Sequence, residues 1–578
     1  MNPQRPWWPF FPPGVARSAR ALPFANLGQL VRGAGKVYGG RKAETLVLPN
    51  GLQASLSFAD VDRLSDAFAA YLRHGLQLQP GARVAILLPN CLAYPVCAFG
   101  ALKAGCVVVN TNPLYTPREL ELQLQDSGAE VLVALDHFGE KVAAVAPRTQ
   151  VKAIVMTGIA DFFPLAVRLL IQTKLRLSGQ IKPLGLACTR LPRALRQGVQ
   201  LLGRARVLSP PDPHPQPTRE SLALLQYTGG TTGTSKGAML SHGNLLANIE
   251  QIAEITRPYL AEGQETVLTV LPMYHVIAFT INLLFGFHSG SHSVLVPNPR
   301  PLKNLRAAFR NNGITWMTAV NTLLKALPDE DWFTPELTRS MWGVFAGGMQ
   351  THPVVLQRWE ALTGCLVIEG YGLSEASPLV TYNPAIRDGN RLRRTMQQIG
   401  GVGLPLPGTD IRITDDDGKR VAPGENGEIL VQGPQVMQGY WQQSAESVRT
   451  LGDGWLRTGD IGCFDRDGYL RITDRKKDMI IVSGFNVFPN EVEACIALHP
   501  EVADVAVVGV PDATTGEAVR AFVVSRGVLT VDELRAHCRT LLAGYKVPTA
   551  FSFLAEIPKN AVGKALRREL RVPAALQG

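Results

Sequence analysis

Short apolar runs alternate along the chain with amphipathic stretches, and this alternation is typical of an α/β fold. The runs RVAILLPN (83–90), CVVVN (106–110) and AEVLVAL (129–135) predict buried strands. Between the first two, CLAYPVCAFGALKAG (91–105) predicts a helix that ends at a glycine, and HGNLLANIEQI (242–252) has apolar residues at helical spacing. The pattern therefore predicts an α/β protein.

Two breaks in this pattern divide the chain. SPPDPHPQP (209–217) has five prolines in nine residues, so it cannot be a helix interior or a central strand and predicts an exposed connector. TDRKKD (473–478) is a charged break, after which new apolar patterns begin. We therefore expect an N-terminal tail over residues 1–24, a large domain over 25–473 and a C-terminal domain over 474–578.

The net charge of +10 is concentrated in one segment. Between Asp161 and Arg206 there are nine Lys or Arg residues and one acidic residue, so this segment carries eight of the ten net positive charges. Its leucines and isoleucines, mixed with those charges, indicate basic amphipathic elements that contact an anionic membrane surface; a solvated charged face is the alternative. The rest of the chain is nearly balanced, which disfavours nucleic acid as a partner.

Composition and cysteine usage bound the environment of the protein. Apolar residues make up 46% of the chain, which excludes wholesale disorder. The eight cysteines form no CxxC pair, which favours reduced thiols in a cytoplasmic protein. No signal peptide or transmembrane helix is predicted, and Trp7, Trp8, Phe10 and Phe11 are interpreted as an interfacial anchor or as part of a disordered tail. We expect a cytoplasmic protein, peripherally associated with the inner face of the cell membrane.

The segment QYTGGTTGTSKGAMLSHGN (226–244) carries the most informative chemistry. Its glycines let backbone N–H groups approach an anion closely, its hydroxyls can donate to phosphate oxygens, and Lys236 supplies a positive charge. Lys236 follows Ser235 and precedes Gly237, so the segment fails the Walker A rule, in which Lys follows Gly and precedes Ser or Thr. The segment therefore predicts phosphate binding by a protein other than a P-loop NTPase.

YTGGTTGTSKG (227–237) resembles the signature loop of the adenylate-forming superfamily, which includes acyl-CoA synthetases, luciferases and adenylation domains of peptide synthetases. Four further motifs follow in that family's order: EGYGLSEASP (369–378), GWLRTGDIG (454–462), DRKKDMIIVSGFNVFPNEVE (474–493) and PKNAVGKALRREL (558–570). The resemblance covers about residues 25–573. TNPLYTPREL, LPMYHVIAFTIN and GPQVMQGYW further resemble bacterial long-chain fatty-acid–CoA ligases.

The resemblance implies an α/β fold with a large N-terminal adenylate-forming domain of stacked α/β sheets, a small β-subdomain and a mobile α+β C-terminal domain. It implies that ATP and Mg²⁺ activate a long-chain fatty acid to an acyl-adenylate, which then passes to CoA with release of AMP. A CoA ligase for a medium-chain or other carboxylic acid and a non-catalytic fatty-acid-binding homologue are the alternatives, and a homodimer stays open. A dinucleotide-binding oxidoreductase is disfavoured because no G-x-G-x-x-G opens a helix after an early strand.

The family's roles transfer onto the matching positions of this sequence. Lys564, Lys236, Glu375 and His275 form the implied catalytic set, and Lys564 would reach the α-phosphate and the carboxylate oxygens during adenylation only. Thr231 and Glu375 are the implied Mg²⁺ ligands, because hard cations prefer oxygen donors.

The same resemblance implies the contacts to nucleotide and CoA. Tyr371 would stack on adenine, Asp460 would accept both ribose hydroxyls with support from Arg475, and Lys477 would be the hinge of the C-terminal domain. The implied binding set is Thr228, Gly229, Gly230, Thr231, Thr232, Gly233, Lys236, Gly347, Gly348, Tyr371, Gly372, Ser374, Asp460, Arg475, Lys477, Ser483, Gly484 and Phe485.

Two positions depart from the family pattern. Ser374 stands where the family usually has Thr, and Asn560 stands where it often has Ser or Thr. Neither change removes a charged group, so a catalytically dead homologue is disfavoured.

Overall fold

A computed structural model describes residues 5–208, 216–228, 235–348, 351, 353–389, 391–395, 401–483, 485–512, 514–560 and 563–571, without the side chains of 204–208. Most of the predicted connector over 209–217 lies outside this part of the chain. Among the helices described here, none combines the length and apolar character needed to cross a bilayer.

The first large sheet is parallel except for its last pair of strands. Its central strands Val107–Asn110 and Val131–Leu135 are almost entirely apolar and buried, as expected when both faces of a sheet are covered. The order is Thr189–Arg190, Ala153–Thr157, Val131–Leu135, Arg83–Leu87, Val107–Asn110, Leu222–Thr228 and Lys236–Ser241. The last two strands are antiparallel, and the predicted phosphate-binding segment connects them.

The second large sheet is parallel in its middle and antiparallel at both edges. Its order is Leu404–Pro405, Leu379–Tyr382, Leu366–Gly372, Gly343–Ala346, Trp316–Ala319, Thr266–Thr269, His292–Leu295, Lys42–Val47 and Gln53–Ser57. A continuous hydrophobic core joins the two sheets, with Val84 and Ile86 from the first, Leu268 and Val294 from the second and Phe68 from a helix.

A smaller antiparallel sheet and the C-terminal sheet follow along the chain. The smaller sheet consists of Asp410–Thr414, Gly427–Gln432, Leu456–Phe464 and Leu470–Arg475, and a hairpin of Ala385–Asp388 and Arg391–Arg394 precedes it. The C-terminal sheet has the order Phe485–Val487, Ile480–Val482, Gly516–Ser525 and Val502–Asp512, and Ala550–Phe553 pairs with Gly516–Ser525. Ile480, Val492, Val507 and Leu534 form a separate core there.

The α-helices surround these sheets and complete the α/β pattern. They are Leu27–Tyr38, Phe58–Ala70, Ala93–Lys103, Pro117–Ser127, Gly139–Val145, Leu165–Leu177, Leu191–Leu208, His242–Thr256, Phe285–Ser289, Arg306–Asn312, Asn321–Ala326, Pro353–Thr363, Ser444–Thr450, Pro489–Ala497, Val531–Leu541 and Arg567–Arg571.

The N-terminal segment differs from its prediction, because residues 5–24 pack on the body of the protein. Trp7 is 1% exposed and stacks on Phe464 with ring centroids 5.2 Å apart. The Arg5 guanidinium donates two hydrogen bonds of 2.5 Å to Asp410. Trp7 is therefore buried inside the molecule and does not serve as an interfacial anchor. The alternative prediction, a disordered tail, is wrong for residues 5–24.

The predicted domain boundary at 473/474 falls within a strand of the smaller sheet. The strand Leu470–Arg475 runs through the charged stretch, so Asp474 and Arg475 still belong to the smaller sheet. Asp474 is fully buried, and its Oδ2 accepts a hydrogen bond of 2.7 Å from the backbone N–H of Asn490. We therefore propose that the C-terminal domain begins after Arg475, with the turn at 476–478 as the connection.

Candidate active site

Lys236 begins the last strand of the first sheet and faces Thr228 across the antiparallel pair. Its ammonium group forms an ion pair with Glu446 and lies 5.4 Å from the centre of the Tyr440 ring. The implied phosphate-loop residues between Thr228 and Lys236 and one residue of the implied CoA site lie outside the described residues: Gly229, Gly230, Thr231, Thr232, Gly233 and Gly484.

Tyr440 connects Lys236 to Glu375. The Tyr440 hydroxyl donates a hydrogen bond of 2.8 Å to Oε1 of Glu375, which lies in the short 3₁₀-helix Ser374–Ala376. Burial and the negative charge of Glu375 raise the pKa of Tyr440. Sequence reasoning missed both Tyr440 and Glu446. Tyr440 lies in the recognised block GPQVMQGYW and could have been found, whereas Glu446 lies in a polar stretch without a motif.

Asp460 is the centre of a second polar cluster. Its Oδ2 accepts a hydrogen bond of 2.7 Å from the Tyr371 hydroxyl, and its Oδ1 lies 3.1 Å from Nε of Arg475. Asp460 and Arg475 are cross-strand partners in the smaller sheet, so the fold itself sets their distance. Burial and the Asp460 charge raise the pKa of Tyr371. Each carboxylate oxygen still has a second acceptor position for a ligand.

Lys564 comes to the same cluster from the C-terminal domain. Its backbone N–H donates to Oδ1 of Asn560 at 2.9 Å, which closes a turn at Gly563. Gly563 has φ +79°, and a Cβ there would lie 2.8 Å from Oγ1 of Thr322, so the turn docks closely on the N-terminal domain. Burial lowers the pKa of Lys564 to about 7, and the positive charge of Arg475 acts in the same direction.

The remaining predicted residues make contacts of their own. Burial and the charge of Arg475 lower the pKa of Lys477 to about 8. Burial lowers the pKa of His275 to about 4, so its ring is neutral at pH 7, and its Nδ1 accepts the N–H of Ile277 at 3.4 Å.

Ser483 and Phe485 make contacts within the C-terminal domain. The Ser483 N–H donates to the Thr515 carbonyl at 2.8 Å, and the Phe485 ring stacks on Tyr545 with centroids 4.9 Å apart. Both Phe485 and Tyr545 are exposed, so this pair is accessible to a ligand.

An apolar cavity lies between the helix His242–Thr256 and the strands Gly343–Ala346 and Leu366–Gly372. Gly347, Gly348, Gly370 and Gly372 lie in its wall, beside isoleucines and phenylalanines of the neighbouring elements. Gly372 is required by close packing, because a Cβ there would lie 2.1 Å from the carbonyl oxygen of Pro378. Tyr371 stands between Gly370 and Gly372, so one short segment borders both the cavity and the Asp460 cluster.

The fold and this site define a class of protein. Residues 37–441 match the family described as AMP-binding enzyme, and residues 491–564 match the AMP-binding enzyme C-terminal domain. The chain therefore belongs to the AMP-binding enzyme family, which confirms the predicted adenylate-forming superfamily and the α/β fold class.

Two curated relatives are similar over most of this chain. The chain is 45% identical over 518 residues to the long-chain-fatty-acid–CoA ligase of Yersinia pestis, with 89% of each chain covered. It is 36% identical over 577 residues to the long-chain-fatty-acid–CoA ligase of Bacillus subtilis. The aligned region covers 99% of this chain and 98% of that relative.

Solved structures agree in fold. ATP-bound MatB from Rhodopseudomonas palustris is 27% identical with a TM-score of 0.78, over 94% of this chain and 98% of that one. An anthranilate CoA ligase in complex with anthranoyl-AMP has a TM-score of 0.81 at 24% identity, over 96% and 98% of the two chains.

Proposed function

We propose that this protein activates a long-chain fatty acid with ATP to the acyl-adenylate and then transfers the acyl group to CoA. The observation that carries the proposal is the segment 370–372, which places the polar Asp460 cluster directly beside an apolar cavity. An acyl-adenylate has the same two parts, a polar nucleotide joined to an apolar chain. The similarity to curated long-chain fatty-acid–CoA ligases supports this assignment.

The Asp460 cluster is the proposed nucleoside site. Asp460 would accept the ribose hydroxyls with the acceptor positions that Tyr371 and Arg475 leave free, and the Tyr371 ring would lie against adenine. Lys564, beside this cluster, would place its positive charge on the oxygens of the α-phosphate as the acyl carboxylate attacks phosphorus and pyrophosphate leaves.

Lys236 and Glu375 are the proposed phosphate and metal residues. Glu375 offers carboxylate oxygens, and Mg²⁺ is commonly held by one or two carboxylates together with substrate phosphates, so the residue fits this ion. When bound, Mg²⁺ would neutralise part of the phosphate charge. Lys236 would exchange its ion pair with Glu446 for the phosphates of ATP.

In the second half-reaction CoA, rather than ATP, must reach the acyl group. We propose that Lys477 is the pivot about which the C-terminal domain moves, so that Lys564 withdraws and Ser483 and Phe485 come to the CoA path. Phe485 supports this role because its exposed ring is accessible to a ligand.

The test of the ligase function is pyrophosphate release from Mg-ATP with a panel of carboxylic acids, with and without CoA. Palmitate or oleate should drive the release, and CoA should convert the adenylate to a thioester and AMP. Release that never depends on CoA would move the acyl acceptor elsewhere. If no acid drove any release, the ligase function would be wrong and a fatty-acid-binding protein would replace it.

We also propose contact with an anionic bilayer, through the helix Leu165–Leu177. No side chain of this helix is buried. Leu165, Leu169, Leu170 and Leu177 are 54–86% exposed, with Lys174 and Arg176 in the last turn. Exposed leucines beside basic residues are typical of a helix that lies in a membrane interface.

The rest of the basic segment contributes less to this surface. The helix Leu191–Leu208 packs on Phe58–Ala70, because a Cβ at Gly198 would lie 1.8 Å from the Ala67 carbonyl oxygen. Arg190 donates to Asp136 at 2.9 Å, so its charge is already paired. The proposed membrane-binding surface is therefore the helix Leu165–Leu177 alone.

Vesicle flotation tests the membrane contact. The protein should float with phosphatidylcholine vesicles that contain phosphatidylglycerol and much less with pure phosphatidylcholine. The double change Leu169→Glu and Leu170→Glu should weaken binding by roughly tenfold or more for each leucine. Leu541→Glu is the matched control, because Leu541 is also exposed on a helix. Equal loss in the control, or none in the double variant, would contradict the surface.

A further inference from the structure

The helix Asn321–Ala326 of the N-terminal domain contacts the C-terminal domain at two points. A Cβ at Gly563 would lie 2.8 Å from Oγ1 of Thr322, so the turn at Gly563 packs directly on this helix. Three residues further along, the ammonium group of Lys325 donates a hydrogen bond to the backbone carbonyl of Ala503. Residues three apart are neighbours on a helix surface, so one helix face contacts two separate segments of the C-terminal domain.

Ala503 can accept this hydrogen bond because it lies at a β-bulge. Val502 and Asp504 are opposite two consecutive residues of the neighbouring strand, so Ala503 is the extra residue between them. The extra residue of a bulge is left unpaired in the ladder of the sheet, which lets its carbonyl oxygen accept from a group outside the sheet. The donor, Lys325, therefore belongs to one domain and the acceptor to the other.

Lys325 is half-buried in this contact. Burial lowers the pKa of its ammonium group, and the charge of Asp504 acts in the opposite direction. A hydrogen bond from a charged donor is stronger than one between neutral groups, and partial exclusion of water strengthens it further. The hydrogen bond from Lys325 to Ala503 therefore contributes to holding the two domains together.

This contact belongs to the arrangement in which Lys564 lies beside Asp460. Lys564 directly follows Gly563, so the docking of that turn also places the Lys564 side chain. In the second half-reaction the C-terminal domain would move away, and the hydrogen bond from Lys325 to Ala503 would break. An interaction that exists in only one of two arrangements shifts the equilibrium toward that arrangement.

We propose that Lys325 is a positioning residue for adenylation, because its hydrogen bond to Ala503 holds the C-terminal domain where Lys564 reaches the nucleotide site. The inference rests on the proposed ligase function and adds a residue to its first half-reaction. Lys325 acts on the reaction through Lys564. Loss of its side chain should slow adenylation, whereas transfer to CoA should stay as fast as before or become faster, because it requires the domain to leave this position.

The experiment measures each half-reaction in Lys325→Met, with the carboxylic acid that drives pyrophosphate release best and with the corresponding acyl-adenylate and CoA. Methionine keeps a long unbranched side chain and removes the charge and the donor. The ratio of the adenylation rate to the rate of thioester formation should fall about tenfold, the size expected for one hydrogen bond from a charged group. Lys325→Arg keeps the charge and the donors, so it should restore most of the ratio.

The same change in the Lys564→Ala background tests whether Lys325 acts through Lys564. Lys325→Met should lower adenylation less than about twofold there, because the group that Lys325 positions is already absent. A tenfold loss in both backgrounds would contradict the positioning role.

Arg358→Met is the matched control. Arg358 lies on the helix Pro353–Thr363, which packs on the helix of Lys325. It donates to Asp329 at 2.7 Å and to the carbonyl oxygen of Pro328 at 3.3 Å, and both partners belong to the N-terminal domain. The control therefore removes a positive charge and a donor from the same region within one domain, and it should leave the ratio unchanged.

Two groups of outcomes separate this inference from the ligase function. If the unmodified protein is active but Lys325→Met leaves the ratio unchanged, lowers both half-reactions equally or acts no more strongly than the control, the positioning role is wrong and the ligase function stands. If no carboxylic acid drives pyrophosphate release in the unmodified protein, the ligase function itself fails, and the inference fails with it.

Discussion

The cluster around Asp460 and the cavity behind Gly372 meet at residues 370–372, yet they consist of opposite kinds of side chain. In the cluster, Asp460 already holds Tyr371 and Arg475, so a nucleotide would join existing hydrogen bonds. In the cavity, most of the lining side chains are apolar, so the shape and volume of the space distinguish one ligand from another. Changes in the cluster should therefore act through charge and cause large losses, whereas changes in the cavity should act through size and redistribute preference.

The largest effect is expected from Lys564→Ala. Pyrophosphate release should fall on the order of 10²–10³-fold, because removal of one preorganised group from a charge-stabilising site has losses of this size. Thioester formation from supplied acyl-adenylate should change far less, since Lys564 acts in the first half-reaction. Separate assays of the two half-reactions measure this split.

Lys559→Ala is the control for Lys564→Ala. Lys559 lies in the same segment but pairs with Asp504 of the C-terminal domain. Equal losses in both half-reactions, or a comparable loss in the control, would contradict a role of Lys564 in adenylation.

Asp460→Asn should follow in size. The change removes the negative charge of the proposed ribose acceptor and leaves Arg475 without its counter-charge, and a hydrogen bond to a charged group is worth about 1.5–3 kcal/mol. We expect KM for ATP to rise about 10- to 150-fold. The 2′-deoxy analogue of ATP sharpens the test, because its penalty should be large in the unmodified protein and small in the variant. If the penalty of Asp460→Asn and the penalty of the missing 2′-hydroxyl were additive, Asp460 would not contact the ribose.

The pH dependence of adenylation should show a smaller effect. The pKa of Lys564 is about 7 in the free protein, so its ammonium form dominates below pH 7 and is lost above it. If this positive charge is required, kcat/KM for pyrophosphate release should fall about tenfold between pH 6 and pH 8. The phosphates of bound ATP would favour the charged form of Lys564, so the corresponding fall in kcat should occur at higher pH.

Lys564→Arg tests this assignment directly. Arginine stays protonated between pH 6 and pH 8, so kcat/KM of the variant should no longer fall over this range, whatever its absolute rate. If kcat/KM of the Arg variant fell in the same way, the titrating group would be one other than Lys564.

The two regions also differ in how far the sequence predicts them. The alternation of apolar runs was sufficient for the α/β class, and the motifs singled out Asp460, Tyr371 and Lys564, which the fold brings to one polar cluster. Local sequence carries this information, because polar residues at a ligand stand in short motifs. Glu446 was missed because a single acid in a polar stretch is indistinguishable from a solvated one until the fold brings it to Lys236.

The cavity and the N-terminal segment could not be predicted, for a physical reason. Tyr259 and Tyr382 are 123 positions apart, and only the packing of distant segments brings both to the wall of one cavity. Trp7 has the same local composition whether it lies in a bilayer, in water or on Phe464. Packing between distant segments decides both outcomes, so the depth of the cavity follows from the fold alone.

The smallest expected effect is a shift in chain-length preference from one methylene in the cavity wall. Ile281 lines the cavity, and Ile281→Val removes one methylene, worth about 0.8 kcal/mol or about fourfold. The ratio of kcat/KM between a fatty acid and the homologue one carbon longer should therefore move about fourfold toward the longer acid, with KM for ATP unchanged. Ile314→Val is the control, because Ile314 is fully buried but is not among the residues that line the cavity. An equal shift in the control, or a change in KM for ATP instead, would mean that the wall near Ile281 does not contact the acyl chain.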